Sequence, residues 1–179
     1  MVRKSTPERF SWAVGTLDLA PSHRVLEIGC GRGVAATLVL DRLTEGSLTA
    51  IDRSGTAVEA ARRGNAGHVS AGRASFLVTS LEEAGFADAS FDRIFAINVN
   101  LFWTRSAAPE LDALHRWLAP GGSLHLFWEP PAPERAGEIV ATVAPALEER
   151  GFEVTTLTGR SSTGAALVSV TGGPRRERP

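Results

Sequence analysis

The stretch VLEIGCGRG at residues 25–33 decides the fold of this chain. Its apolar start predicts a buried strand, and three alternate glycines, Gly29, Gly31 and Gly33, then lead into an apolar segment that suits a helix. Glycine adopts positive φ without strain, and a helix that starts after such a loop presents free amides and the positive end of its dipole. The stretch therefore predicts an α/β fold with a ligand site at the loop.

Apolar runs bounded by turn residues alternate with amphipathic segments along the rest of the chain, which is typical of a parallel sheet covered by helices on both faces. The predicted strands lie at 24–29, 47–52, 74–80, 91–98, 123–129, 151–158 and 163–170, and the predicted helices at 7–20, 33–43, 54–63, 106–118 and 134–150. A turn-rich segment separates the last two strands, so we expect a closing hairpin. The predicted fold is a doubly wound, mostly parallel seven-stranded α/β sheet with helices on both faces and an antiparallel closing strand.

The length of 179 residues, with 43% hydrophobic content, suits a single domain that buries its own core. We place this domain at residues 1–171, beginning with a short helix. The segment GGPRRERP at 172–179 is polar and is expected to be a disordered tail.

Charge and cysteine content exclude several classes of protein. The formal net charge of -1, without a long block of like charge, argues against nucleic acid as a partner. The single cysteine, Cys30, excludes an internal disulfide, and four scattered histidines do not have the spacing of a metal site. The polar N-terminus and the lack of a run of ~20 apolar residues predict a cytoplasmic protein without a membrane segment.

The glycine spacing weighs against a dinucleotide site. A site of the NAD type needs the pattern G-x-G-x-x-G, and Val34 stands where its third glycine would be. An NAD-dependent oxidoreductase is therefore the weaker interpretation of this loop.

Four motifs in order resemble the class I (Rossmann-like) S-adenosylmethionine-dependent methyltransferases. The glycine loop with Glu27 before it is similar to motif I of that family, and TAIDRS at 49–54 is similar to its second motif. FADASFD at 86–92 resembles the segment that leads into the fourth strand, and LHRWLAPGGSLHLFWEP at 114–130 resembles the helix, Pro-Gly-Gly turn and fifth strand. The resemblance covers about residues 20–158 and implies S-adenosylmethionine as the cofactor.

The resemblance also implies which residues hold this cofactor. Asp52, at the end of the second strand, takes the place of the acid that binds the ribose hydroxyls. Arg53 and Leu81 are candidates to flank the adenine ring, and Ser80 stands where the family commonly has an aspartate that accepts from the adenine amino group. The full set of cofactor-binding candidates is Glu27, Gly29, Cys30, Gly31, Gly33, Asp52, Arg53, Ser80, Leu81 and Asn98.

The methyl acceptor is expected at the carboxyl ends of the fourth and fifth strands, where open α/β sheets place ligands. Asn100 and Trp103 follow the fourth strand, Glu129 follows the fifth, and Trp12 lies in the first helix, so these four residues are the substrate-lining candidates. A structural alternative stays open for each of them: an asparagine caps loop backbone, an aromatic ring packs in the core, and Glu129 is a surface acid. No catalytic residue is assigned, because His125, inside the fifth strand, is more typical of a core histidine.

These features predict methyl transfer from S-adenosylmethionine to a small-molecule acceptor. The sulfonium already activates the methyl group, so the main task is alignment of the acceptor, and such positioning supplies ~7 to 11 kcal/mol in intramolecular reactions. Two alternatives stay open. The first is a protein that binds S-adenosylmethionine without transferring the methyl group, and the second is an RNA or protein methyltransferase.

Overall fold

The computed structural model describes residues 6–174 of the chain. Its strands are β1 (Arg24–Ile28), β2 (Ser47–Asp52), β3 (Ala74–Val78), β4 (Phe91–Ile97), β5 (Leu118–Trp128), β6 (Phe152–Arg160) and β7 (Ala166–Pro174). Its helices are α1 (Glu8–Gly15), α2 (Val34–Leu40), α3 (Gly55–Gly64), α4 (Ala66–Ser70), α5 (Leu101–Thr104), α6 (Ala108–Trp117) and α7 (Arg135–Glu148).

The strands form one sheet in the order β3-β2-β1-β4-β5-β7-β6. The first five strands of this order pair in parallel, whereas β7 runs antiparallel between β5 and β6. The predicted doubly wound sheet with an antiparallel closing strand is therefore confirmed. Because the strand order reverses between β1 and β4, a crevice forms at the carboxyl ends of these strands.

Two hydrophobic clusters cover the two faces of the sheet, because successive residues of a strand point to opposite sides. Leu26 and Ile28 of β1 belong to the cluster under α5, α6 and α7, whereas Val25 belongs to the cluster under α1, α2 and α3. Burial on both faces explains why the central strands are continuous apolar runs in the sequence. Within residues 6–174, the helices lack the combination of length and apolar content that crossing a bilayer requires.

Close packing of α2 against α3 fixes the end of the glycine loop. Gly33, with φ of 79°, precedes α2, and a Cβ on it would lie 2.8 Å from Ala61 Cβ and 3.1 Å from Ala61 Cα. Thr37 Oγ1 donates to Oδ1 of the buried Asn65 at 2.9 Å, and Asn65 Nδ2 donates to the Ala61 carbonyl at 3.0 Å. Only glycine fits this contact, so the loop is held tightly against α3.

The bounds of α1 and β5 differ from the sequence prediction. α1 stops at Gly15 instead of continuing to residue 20, and Asp18 beyond it has φ of 48°, outside the helical range. β5 starts at Leu118, since the Pro-Gly-Gly turn, with Gly121 at φ of 79°, is an irregular part of the strand where its register with β4 shifts. The predicted cap of α3 is confirmed: Ser54 Oγ accepts from the Ala57 amide at 3.3 Å.

Short segments account for the other differences. α4 and α5 occupy stretches predicted as loops, because one helical turn lacks the periodic signal of a longer helix. The predicted disordered tail at 172–179 is wrong for residues 172–174, which continue β7: Gly172 pairs with both Leu124 and Val154. The remainder of that tail and residues 1–5 of the predicted domain lie outside the described residues.

Candidate functional site

A cleft of about 460 Å³ opens at the carboxyl ends of β1, β2 and β4. It lies where the strand order reverses, which is the position that the sheet topology predicts for a ligand. Its lining consists of four groups, one at or after the carboxyl end of each of β1, β2, β3 and β4: Ile28 and Gly29; Ile51, Asp52 and Arg53; Thr79, Ser80, Leu81 and Glu82; and Ile97, Asn98, Val99, Asn100 and Leu101.

The glycine loop shapes one wall of this cleft. Gly29, Gly31 and Gly33 have φ values of 70°, 52° and 79°, all in the left-handed region that favours glycine. A Cβ on Gly29 would lie 2.7 Å from Val99 Cγ2, whereas Gly31 has nothing within 4 Å of that position. Gly29 therefore lines the cleft in contact with Val99, whereas the predicted cofactor-binding residues Gly31 and Gly33 lie outside the cleft lining.

The loop amides are bound within the protein. The amides of Gly29 and Cys30 donate to the Ile51 carbonyl at 2.8 and 3.0 Å, and the Gly33 amide donates to the Cys30 carbonyl at 2.9 Å. The Gly31 amide donates to Asp52 Oδ2 at 2.8 Å. These four amides stabilise the loop conformation, and the expectation of free amides concerns the first turn of α2 that follows them.

Asp52 lies between the glycine loop and the cleft. Its Oδ2 accepts from the Gly31 amide at 2.8 Å and its Oδ1 accepts from the Ser54 amide at 2.9 Å. Each carboxylate oxygen has a second lone pair, so the half-buried side chain can still accept from two ligand hydroxyls. Asp52 lines the cleft, as the sequence predicts for a ribose-binding acid.

Glu27 and Cys30 lie beneath the loop rather than on the cleft wall. Glu27 is 3% exposed, and within residues 6–174 its Oε2 has no hydrogen-bond partner. Burial, and secondarily the charge of Asp52, raises the pKa of Glu27 well above its usual value. Burial likewise raises the pKa of the Cys30 thiol to about 12, so this thiol stays protonated and is not a nucleophile.

The turn after β3 forms the opposite wall. Ser80 Oγ donates to Glu83 Oε2 at 3.1 Å, which leaves the hydroxyl oxygen free to accept from a ligand. Leu81 is 7% exposed and joins the hydrophobic cluster, while Arg53, across the cleft, is exposed. The three residues predicted around the adenine ring therefore all line the same cleft.

Asn98 and Asn100, after β4, form hydrogen bonds within the protein and also lie on the cleft wall. Asn98 has φ of 58°, and its Oδ1 accepts from the Glu129 amide at 2.8 Å, so its side chain links the ends of β4 and β5. Asn100 Oδ1 accepts from Trp103 Nε1 at 3.2 Å. Both asparagines also line the cleft.

The other acceptor candidates lie outside the lining of this cleft. Trp12 packs edge-on against Phe127, with ring centroids 5.7 Å apart, which matches the packing alternative. The guanidinium of Arg135 lies 5.4 Å from the centroid of the Trp103 ring. Glu129 Oε2 lies 3.7 Å from Nη1 of Arg9 on α1. Trp103 and Glu129 are hydrogen-bonded to the cleft-lining Asn100 and Asn98, and neither of them forms part of the cleft wall.

Sequence reasoning missed several lining residues. Ile28, Ile51 and Ile97 come at or next to the carboxyl ends of three strands, so strand-end position is the signal that would have found them. Thr79 and Glu82 flank the predicted adenine segment. Their place directly beside Ser80 and Leu81 in the chain is the signal that would have found them.

The remaining titratable candidates are structural. His125 Nε2 is 2.7 Å from Ser123 Oγ, its Nδ1 is 3.3 Å from Thr171 Oγ1, and burial lowers its pKa to about 4. A neutral imidazole with both nitrogens engaged is a core histidine. In the described part of the chain, no group of three or more histidine, cysteine or acidic side chains has the arrangement that holds a metal ion.

Comparison with known proteins gives one family match, two curated relatives and one solved structure. Residues 25–122 match the family described as "Methyltransferase domain". The chain is 36% identical over 117 residues to the ubiquinone/menaquinone biosynthesis C-methyltransferase UbiE of Geotalea daltonii, which covers 63% of this chain and 49% of that protein. It is 30% identical over 123 residues to the malonyl-acyl-carrier-protein O-methyltransferase of Priestia megaterium, covering 69% and 43%. The fold resembles geranyl diphosphate methyltransferase, solved in complex with SAM, with a TM-score of 0.73 at 12% identity over 94% of this chain and 85% of that one.

The chain belongs to the methyltransferase-domain family, since the family match spans more than half of its length. The predicted membership in the Rossmann-like, S-adenosylmethionine-dependent class is therefore confirmed. The chain spans about half the length of the two curated relatives, 49% and 43%.

Proposed function

We propose that this protein transfers a methyl group from S-adenosylmethionine to a small-molecule acceptor. The observation that carries the proposal is the cleft between β1, β2 and β4, with the Gly29 backbone on one side and the Asp52 carboxylate beside it. Family membership supports the donor, and the geometry supports its orientation.

The residues present fit this cofactor. Gly29 and Val99 both line the cleft, and an added Cβ on Gly29 would collide with Val99 Cγ2, so a side chain at position 29 would disturb the wall along which a methionine end would run. The loop amides are already bound, and we expect its carbonyl oxygens to accept from the ammonium group of that end. Glu27 Oε2, buried and unpaired within residues 6–174, lies beneath the loop and adds an acceptor to this region.

The sugar and base extend along the other two walls. Asp52 would accept from the ribose hydroxyls, with two charge-assisted hydrogen bonds of roughly 1.5 to 3 kcal/mol each. Ser80, whose proton is directed to Glu83, would accept from the adenine amino group, and Leu81 offers an apolar contact to the ring. Arg53 would cover the ring from the solvent side.

The bound cofactor supplies a methyl group that is already activated by its sulfonium. The protein then has to hold the acceptor in line, and positioning of this kind supplies ~7 to 11 kcal/mol. Asn98 and Asn100 offer amide donors and acceptors at the cleft, so we assign them to orientation of the acceptor. A general base is needed only for an acceptor that must lose a proton, and no residue is assigned to this role, because Glu129 lies outside the cleft lining with its carboxylate 3.7 Å from Arg9 Nη1.

A small acceptor is favoured over a polynucleotide or protein. The net charge of -1 weighs against nucleic acid as the acceptor. The names of the relatives describe both a C-methyltransferase and an O-methyltransferase, so both carbon and oxygen stay open as the acceptor atom here. The cytoplasmic location expected from the sequence stays a prediction.

Titration calorimetry with S-adenosylhomocysteine and with NADH tests the donor site. We expect saturable binding of S-adenosylhomocysteine and none of NADH; binding of NADH alone would overturn the proposal. Release of S-adenosylhomocysteine from S-adenosylmethionine in the presence of metabolite fractions then tests transfer. Tight binding with no release from any fraction would favour a binding protein without transferase activity.

A further inference from the structure

Three charged side chains connect the cleft to the helix behind it. Nη2 of Arg105 lies 2.7 Å from Glu82 Oε1 and 2.6 Å from Glu110 Oε1, so one nitrogen contacts both carboxylates. We call Glu82, Arg105 and Glu110 the Arg105 network. Its members come from the turn after β3, from the end of α5 and from the first turn of α6.

The two carboxylates of the Arg105 network have different surroundings. The Glu110 side chain is 6% exposed, and its Oε2 has no hydrogen-bond partner within residues 6–174. The Glu82 side chain is 48% exposed and lines the cleft. A buried carboxylate that lost its cation would be strongly unfavourable, so Glu110 holds the guanidinium in place. The guanidinium then fixes the side chain of Glu82.

The Arg105 network joins two walls of the cleft. Residues 79–82 form the wall after β3, and residues 97–101 form the wall after β4, from which α5 leads directly to Arg105. Arg105 itself is not among the residues that line the cleft. Any effect of Arg105 on a ligand there must therefore pass through Glu82 or through the spacing of these walls.

We propose that Arg105 is a positioning residue for the cofactor, which holds the adenine-side wall at residues 79–82 in the conformation that binds. This inference rests on the proposed function, because the ligand of the cleft is taken to be S-adenosylmethionine. A wall that is already ordered before binding loses less conformational entropy on binding, and so raises affinity without a direct contact.

The test measures the Kd of S-adenosylhomocysteine by titration calorimetry, together with the Tm, for Glu82→Gln, Arg105→Gln and the double variant. We expect each single variant to weaken binding roughly three- to tenfold. The double variant should bind no more weakly than the weaker single variant, because both changes break the same connection. Glu82→Gln leaves the buried Arg105–Glu110 pair intact, so its Tm should stay close to that of the wild type.

Asp112→Asn is the matched control. Asp112 also lies on α6, and its Oδ1 is 3.1 Å from Arg150 Nε, but it lies outside the cleft lining. We expect its Kd to equal that of the wild type. If Arg105→Gln does not fold, Arg105→Lys, which keeps a cation beside Glu110 but loses the planar guanidinium that contacts both carboxylates, replaces it in the cycle.

Three results would overturn the role of Arg105: wild-type affinity in Glu82→Gln, equal weakening in Asp112→Asn, or full additivity in the double variant. Full additivity would mean that Glu82 acts on the ligand by itself. Failure of the wild type to bind S-adenosylhomocysteine would overturn the proposed function and this inference together. Binding by the wild type with no change in the variants would overturn this inference alone.

Discussion

Two aspartates at opposite ends of the parallel strands differ in the groups that donate hydrogen bonds to them. Asp92, at the amino end of β4, accepts from the Arg24 side chain at 3.0 and 3.1 Å and from the Arg24 amide at 2.7 Å. Asp52, at the carboxyl end of β2, accepts from the amides of Gly31 and Ser54. In the described part of the chain, Asp52 forms no ion pair.

The comparison shows how partners separate a structural acid from a binding one. The bidentate guanidinium neutralises Asp92 and links the starts of β1 and β4, and its hydrogen bonds lower the pKa of Asp92. Backbone amides orient Asp52 without neutralising it, so its charge and its remaining lone pairs face the cleft. The same residue type therefore stabilises the sheet at the amino ends of the strands and is available to a ligand at their carboxyl ends.

Replacing Gly33 by alanine should cause the largest loss of stability at the carboxyl ends of the strands. The new Cβ would combine left-handed strain with a collision against Ala61, and we expect a loss of about 2 to 4 kcal/mol in the free energy of unfolding. Urea denaturation measures this. Gly72→Ala is the control, since Gly72 has φ of 70° but open space around it, and should lose only about 1 kcal/mol. Equal losses would show that the packing of α2 on α3 does not fix the loop.

Asp52→Ala should separate the two aspartates by ligand affinity. We expect S-adenosylhomocysteine to bind at least about tenfold more weakly, because charge-assisted hydrogen bonds to the ribose are lost. Asp92→Asn should bind with the Kd of the wild type. Titration calorimetry on both variants gives the comparison, and an equal effect of the two substitutions would contradict it.

Asp92→Asn should distinguish the two aspartates by their effect on the free energy of unfolding. Because its pKa is lowered in the folded protein, Asp92 contributes stability above its unfolded pKa of about 3.9, and this contribution is lost as the pH falls through the folded value. We expect the variant to lose about 1 kcal/mol at pH 7, and the difference from the wild type to start shrinking below about pH 4 and to vanish once the pH is below the lowered folded pKa. A loss that is independent of pH, measured by denaturation at several pH values, would exclude the ion pair as its source.

Glu27→Gln extends the comparison to a buried acid near the carboxyl ends of the strands. Because the pKa of Glu27 is raised on folding, the wild type takes up a proton and loses stability as the pH rises above the unfolded pKa of about 4.3. Glutamine does not titrate, so the variant should match the wild type near pH 4 and melt about 2 to 4 °C higher at pH 8. Calorimetric scans test this. A parallel pH dependence in both proteins would mean that Glu27 is ionised in the fold.

Local patterns predicted the fold and the donor half of the site. The apolar runs and glycines of residues 25–33 carry strand, loop and helix within a few positions, and Asp52 follows from its place at the end of a strand. The binding of the loop amides to Ile51 and Asp52 was not predictable, because it depends on the register between two strands. The sequence left Trp12 between a packing role and a substrate-lining role, because only the packing of α1 shows that it faces Phe127.

The structure of the protein crystallised with S-adenosylhomocysteine tests the central claim most directly. We expect the ligand in the cleft between β1, β2 and β4, with both ribose hydroxyls within about 3.2 Å of the Asp52 carboxylate and the amino-acid end along Gly29. A ligand bound elsewhere, or in the cleft with Asp52 bonded only to the Gly31 and Ser54 amides, would contradict the account.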